Sequence, residues 1–315
     1  MIIYLCSNFY KLWIASESKW NVKMIKSTQS KLAGLLFGII QIIMAQDLYS
    51  NLININGHQI HYYQTGTRGE PIVLLTGYAT TSNFWSKEFI SCLATNHKVY
   101  LFDYQGINTA STYDVSKLSI KSMASDVNQL VSKLNLKNAQ LLGWSMGGAI
   151  ALEASFQSPN LYQNLILLAP VLPTGGKTKL IQPMPEHAPF KTDSDVLNYV
   201  LNNNLYNYQT DNLKYYKSQF IQSKLEEIFP EKLVRDAQGK AMGEWVVNLA
   251  VGEQFKIATT PATFYLPTND TIINQDTALA IAKEYPNGTI IKVKNSGHAI
   301  ALQTPDTLCT NIKEY

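Results

Sequence analysis

Four short runs in this 315-residue chain are apolar at almost every position: PIVLL (71–75), KVYLFD (98–103), AQLLG (139–143) and NLILLAP (164–170). A strand with one wet face alternates apolar and polar side chains; a continuous run needs both faces covered. Between the runs the apolar spacing turns helical, over 82–95, 120–134 and 146–156. Alternation of this kind predicts a mainly parallel sheet with helices on both faces. Two alternating segments, 52–55 and 59–63, flank Asn56-Gly57, the signal of an antiparallel hairpin. The pattern resumes late, with strands at 261–266 and 289–293 and helices at 277–284 and 305–312. Between them, 172–259 lacks strand-like runs and shows helical spacing at Val196, Tyr199, Val200 and Asn203. The expectation is an α/β architecture with an eight-stranded sheet and an inserted helical cap. Its parts are an N-terminal extension (1–45), a first core part (46–171), the cap (172–260) and a second core part (261–315).

The junction of the third run with its helix reads Gly143-Trp144-Ser145-Met146-Gly147-Gly148. A serine at a sharp strand-to-helix turn is forced into a sparsely populated backbone conformation, and its neighbours two residues away on either side must be small. Gly143 and Gly147 meet that need. Such a turn lifts the Ser145 hydroxyl above the carboxyl ends of the strands, where open α/β sheets bind ligands. It also puts the Met146 N–H at the positive end of a helix.

LLGWSMGGAIALEAS resembles the nucleophile elbow of the α/β-hydrolase superfamily in its cap-bearing, single-domain form. The resemblance runs over roughly 50–315, the cap itself unmatched. It implies a general base from the Gly-His after the last strand, here Gly297-His298, and an acid a few residues past the strand at 261–266. Asp270 fits that place; Asp276 is the rival, read instead as the cap of the next helix. No acidic residue lies between Pro170 and Glu186, which argues against the variant with its acid there. The order Ser145, Asp270, His298 is the one this fold expects. The oxyanion hole would combine the Met146 N–H with the Tyr78 N–H from the loop Thr76-Gly77-Tyr78-Ala79, each donor worth about 2.7–4 kcal/mol. Thr76 stands where relatives often carry a buttressing histidine. Asp103-Tyr104-Gln105-Gly106-Ile107-Asn108 resembles the family's D-x-R-G-x-G turn, departing at Gln105 and Asn108, and reads as structural. Phe84 and Trp85 read as helix packing.

A serine nucleophile points to an acyl-enzyme and to cleavage of an ester, thioester or lactone. Carbon–carbon hydrolysis, acyl transfer, cofactor-free peroxidation and a non-catalytic binding role remain open on the same residues. Relatives that open epoxides or remove halide use aspartate at this position. Neither a Rossmann glycine fingerprint nor a P-loop is present, and nothing calls for a cofactor or a metal. Phe190, Tyr199, Tyr206, Tyr208, Tyr215, Tyr216, Phe220, Phe229 and Trp245 offer the cap either an apolar acyl pocket or its own packing.

Net charge is +3, but five of the 26 basic residues and one of the 23 acidic ones precede residue 46. The body is close to neutral, with arginine only at Arg68 and Arg235, which gives nucleic acid no basic face. The expected partner is a small ester-type substrate. Segment 24–46 carries Lys26 and Lys31, then a mostly apolar run from Leu32 to Met44, then Ala45. That is the grammar of a secretory signal peptide, starting at Met24 inside an over-long N-terminus. The alternative is a membrane anchor over 32–45, the only expected membrane contact. After cleavage two cysteines remain, Cys92 and Cys309, both on expected helices, either bridged or as two buried thiols.

Overall fold

The computed structural model describes residues 49–107, 114–183, 191–220 and 228–312. The expected signal peptide, Cys6, Asn108, His187 and Phe190 lie outside them. Eight strands form one sheet: β1 (Tyr49–Ile55), β2 (His58–Thr65), β3 (Pro71–Leu75), β4 (Lys98–Phe102), β5 (Ala139–Trp144), β6 (Tyr162–Leu168), β7 (Ala262–Pro267) and β8 (Gly288–Val293). Their order is β1-β2-β4-β3-β5-β6-β7-β8. β1 pairs antiparallel with β2, and β2 with β4; every other pairing is parallel.

The continuous apolar runs feed two cores, because successive side chains of a strand point to opposite faces. Val73, Leu75, Phe102, Leu141 and Leu165 enter one core, with Met123, Val127 and Leu130 of α2 (Ile120–Lys133) and Ile150 of α3 (Met146–Gln157). Ile72, Leu74, Leu101, Leu142 and Ile166 enter the other, with Phe89 and Leu93 of α1 (Lys87–Leu93) and Leu308 and Ile312 of α10 (Pro305–Ile312). Full burial of each such side chain contributes about 1.5–3 kcal/mol. α2 starts at a capping box in which the Ser119 and Ser122 hydroxyls accept from each other's backbone N–H groups, at 3.0 and 2.9 Å.

Several boundaries differ from the sequence reading. The expected helix over 82–95 is a 3-10 turn, Ser82–Phe84, followed by the shorter α1. Thr81 and Ser86 each cap a separate start, and Asp103 Oδ1 accepts from Ser82 N at 2.7 Å, so side-chain bonds divert the backbone from one continuous helix. Asn274, not Asp276, caps α8 (Gln275–Ala282), accepting from Thr277 N at 2.9 Å; Asp276 sits exposed in its first turn. A four-residue helix, α9 (Ile300–Gln303), follows the last strand's loop. Cys92 on α1 and Cys309 on α10 form a disulfide, with Cα atoms 6.2 Å apart.

The described part of the inserted region holds α4 (Asp193–Asn204), α5 (Leu213–Gln219), α6 (Lys232–Val247) and α7 (Leu249–Lys256). Isolated bridges join Ile181 to Ile273 and Phe220 to Ser86, tying this region to the core. Among the described residues no helix is long and apolar enough to cross a membrane.

Candidate active site

β5 ends at Trp144 and α3 begins at Met146, leaving Ser145 between them at φ 56°, ψ −117°. Few non-glycine residues adopt a positive φ, and the surroundings hold this one in place. Ser145 N donates to Leu168 O at 3.0 Å, and Ser145 O accepts from Gly148 N and Val171 N, both at 2.9 Å. A Cβ on Gly147 would stand 2.1 Å from the Leu75 carbonyl oxygen, and one on Gly143 would stand 2.3 Å from that of Gly147. Neither position admits a side chain.

The loops after β7 and β8 bring two further side chains to the serine. His298 Nε2 lies 2.8 Å from Ser145 Oγ, and His298 Nδ1 lies 2.8 Å from Asp270 Oδ2. The other oxygen, Asp270 Oδ1, accepts from the Ile272 and Ile273 N–H groups at 2.8 and 2.9 Å. An ionised carboxylate only accepts, so Asp270 selects the imidazole tautomer with its proton on Nδ1. The lone pair of Nε2 then faces the serine hydroxyl. The His298 and Asp270 side chains are both buried, which strengthens their attraction and keeps water from competing for it.

Trp144, the residue before the serine, donates its indole N–H to the His298 carbonyl at 2.9 Å. Its ring lies 5.2 Å from that of Phe84, nearly parallel, and 5.6 Å from the imidazole. Sequence reasoning missed this tie because the partners are 154 residues apart.

The loop after β3 lies directly over the serine: a Cβ on Gly77 would come within 3.2 Å of Ser145 Cβ. Without the histidine common in relatives, this loop is braced by hydroxyls. Tyr104 OH donates to Thr76 O at 2.9 Å, Thr80 Oγ1 to Gly77 O at 3.0 Å, and Thr76 Oγ1 to Thr80 O at 3.3 Å. The Met146 N–H, at the first position of α3, has no acceptor within its own helix.

A cavity of about 270 Å³ opens beside Ser145 and His298. Val200, Phe229 and Met242 of the inserted region and Phe84, Trp144, Val171 and Ile272 of the core supply much of its wall. Phe84 therefore lines the site as well as packing in the core. Among the described residues no lysine, arginine, aspartate or glutamate lines the cavity. Of the aromatic residues expected from the inserted region, Phe229 alone among the described residues reaches it; Phe220 stacks behind Phe84, and Tyr208, Tyr215 and Tyr216 pack on one another.

A family model described as the alpha/beta hydrolase fold matches residues 70–267, well over half of the chain. This chain belongs to the α/β-hydrolase fold family. The chain is 32% identical over 113 residues to a provisionally named non-heme chloroperoxidase of Synechocystis sp., a match covering 36% of this chain and 41% of that protein. The chain thus spans about two fifths of the length of the curated relatives it matches. Among solved structures it resembles a serine hydrolase of the polyaromatic-hydrocarbon-degrading bacterium Cycloclasticus zankles, with TM-score 0.68 and 14% identity over 85% of this chain and 97% of that one. It also resembles a meta-cleavage product hydrolase, with TM-score 0.67 and 14% identity over 84% and 96%. At such identities the likeness is one of fold.

Proposed function

We propose that this α/β hydrolase cleaves a neutral carboxylic ester with a short apolar acyl group, through an acyl-enzyme on Ser145. The continuous 2.8 Å contacts from Ser145 through His298 to Asp270 carry the reading. His298 Nε2 takes the Ser145 Oγ proton as Oγ bonds to the ester carbonyl carbon. Asp270 stabilises the imidazolium, and the Met146 and Tyr78 N–H groups receive the oxyanion. Collapse breaks the ester C–O bond, and the leaving alkoxide takes the proton from His298. Water then repeats the sequence on the acyl-enzyme, releasing the acid and restoring Ser145.

The cavity supports the choice of acyl group. Its apolar wall offers no cation to pair with a carboxylate, and burying an unpaired charge is costly. At about 270 Å³ it is at the small end for a ligand site, which favours a short acyl chain. We also propose export: segment 24–46 has the composition of a signal peptide, and a disulfide fits an oxidising destination.

The test is a p-nitrophenyl ester series from acetate to dodecanoate, with the half-ester of succinate as the charged match to butyrate. Rates should peak at short to medium acyl chains and fall sharply for the succinate half-ester. Ser145→Ala should abolish turnover and fluorophosphonate labelling. Equal rates for wild type and Ser145→Ala would sink the reading. A wild type labelled at Ser145 that leaves every ester intact would move the assignment to another reaction of the same residues.

A further inference from the structure

Gln238 lies on α6, in the inserted region, and is fully buried. Its Oε1 accepts from the Ala79 N–H at 3.0 Å, across 159 residues of sequence. Ala79 directly follows Tyr78, and it sits at φ 57°, a conformation that costs a non-glycine residue energy and needs external restraint. The next residue of α6, Gly239, passes so close that a Cβ there would meet the Tyr78 ring at 3.4 Å. Consecutive residues of one helix thus rest on consecutive residues of the loop above Ser145. The other half of the amide, Gln238 Nε2, is buried without a partner among the described residues. An apolar side chain would avoid the unpaired Nε2 but would leave the Ala79 N–H without its acceptor, so the glutamine's contribution here is its grip on Ala79.

We propose that Gln238 is a positioning residue for the oxyanion hole. By gripping the Ala79 N–H it fixes the plane of the preceding peptide groups and aims the Tyr78 N–H at the position the oxyanion will occupy. The triad belongs to the core alone; the hole is completed only when the inserted helices are docked. Gln238 thereby does from the inserted region what a buttressing side chain at Thr76 would do from within the loop. The proposal rests on the hydrolase reading given above.

Gln238→Met keeps the shape and removes the acceptor; Gln238→Asn keeps an amide one methylene too short to reach. Both are assayed on p-nitrophenyl butyrate, with an alkyl boronic acid as the tetrahedral analogue and butyramide as the ground-state ligand. The expected result is a fall in kcat of tenfold or more with KM within twofold. Boronate affinity should fall by a similar factor while butyramide affinity holds. The pH midpoint of kcat/KM should not move, and amide exchange over residues 76–80 should quicken. Wild-type kcat in both variants overturns the proposal and leaves the hydrolase reading intact. So does an equal loss of boronate and butyramide affinity, which marks general disorder. A wild type inert to both ester and fluorophosphonate overturns the hydrolase reading, and the proposal with it.

Discussion

Asp126 is a buried carboxylate held by neutral amides: Asn56 Nδ2 donates to it at 3.1 Å, and Gln105 is a second hydrogen-bond partner. Position 105 is where the related turn carries arginine, and a neutral amide cannot offset the loss of water around a charge. Burial pushes the carboxyl from 3.8 up to about 7, against the pull of both hydrogen bonds. The folded state therefore keeps a proton that the unfolded chain sheds. Stability contributed by this group is complete below pH 4, declines as pH rises through the interval to about 7, and is level above it. Urea midpoints measured from pH 4.5 to 8 should show this decline in wild type, and Asp126→Asn should flatten it. Closer to the chemistry, Asp270→Asn should lower kcat by about 10⁴-fold, since an amide no longer selects the productive imidazole tautomer. Trp144→Phe keeps the stack on Phe84 but frees the His298 carbonyl; kcat should fall several-fold with Ser145 still labelled by fluorophosphonate. Ser145 and His298 were legible because each sits in a local signature, a strand-to-helix turn and a Gly-His after the last strand. The Trp144 and Gln238 contacts carried no such signal, since each is made between residues more than 150 positions apart.

Two loops and the end of one helix share a single set of bonds. Thr271 Oγ1 donates to Asn203 O at 2.7 Å, and Ala299 N to Asn204 O at 2.8 Å, so the end of α4 is fastened beside both Asp270 and His298. Gln303 of α9 completes the fastening: its Oε1 accepts from Gly297 N at 2.8 Å and Tyr206 N at 2.9 Å, and its Nε2 donates to Tyr206 O at 2.5 Å. Gln303→Leu removes all three. With each of the three bonds worth about 1 kcal/mol, the midpoint should drop by roughly 6–12 °C in a thermal scan, and kcat should fall as the His298 loop loosens. Unchanged kcat at full stability would show that the loop keeps its place without this staple. At this scale the strands were easy to read and the helices harder. PIVLL and, past Asn164, LILLAP lack polar positions because both their faces are covered, a constraint written along the run itself. The helix expected over 82–95 broke because Thr81, Ser86 and Asp103 bind its backbone, and the last of these lies beyond the segment. α9 is too short for any period to register.

The disulfide acts on the molecule as a whole. It joins α1, early in the sheet's connections, to α10 at the end of the described chain, at a sequence separation of 217. Spacing in the sequence could not decide this pairing, because whether two helices lie side by side depends on the whole order of strands between them. Closing so long a loop removes freedom chiefly from the unfolded chain, and such bridges typically contribute about 2–4 kcal/mol. Neither cysteine lines the cavity beside Ser145, so stability and catalysis should separate. The double variant Cys92→Ser/Cys309→Ser is expected to unfold at lower urea by that amount while its kcat on a short ester matches wild type. Non-reducing peptide mapping of exported protein should recover the Cys92 and Cys309 peptides as one linked mass that splits on reduction. Protein retained in the cytosol should yield the two peptides separately and resemble the double variant in its unfolding midpoint. Separate peptides in exported material would remove both the stabilising role of the bridge and the support it lends to export.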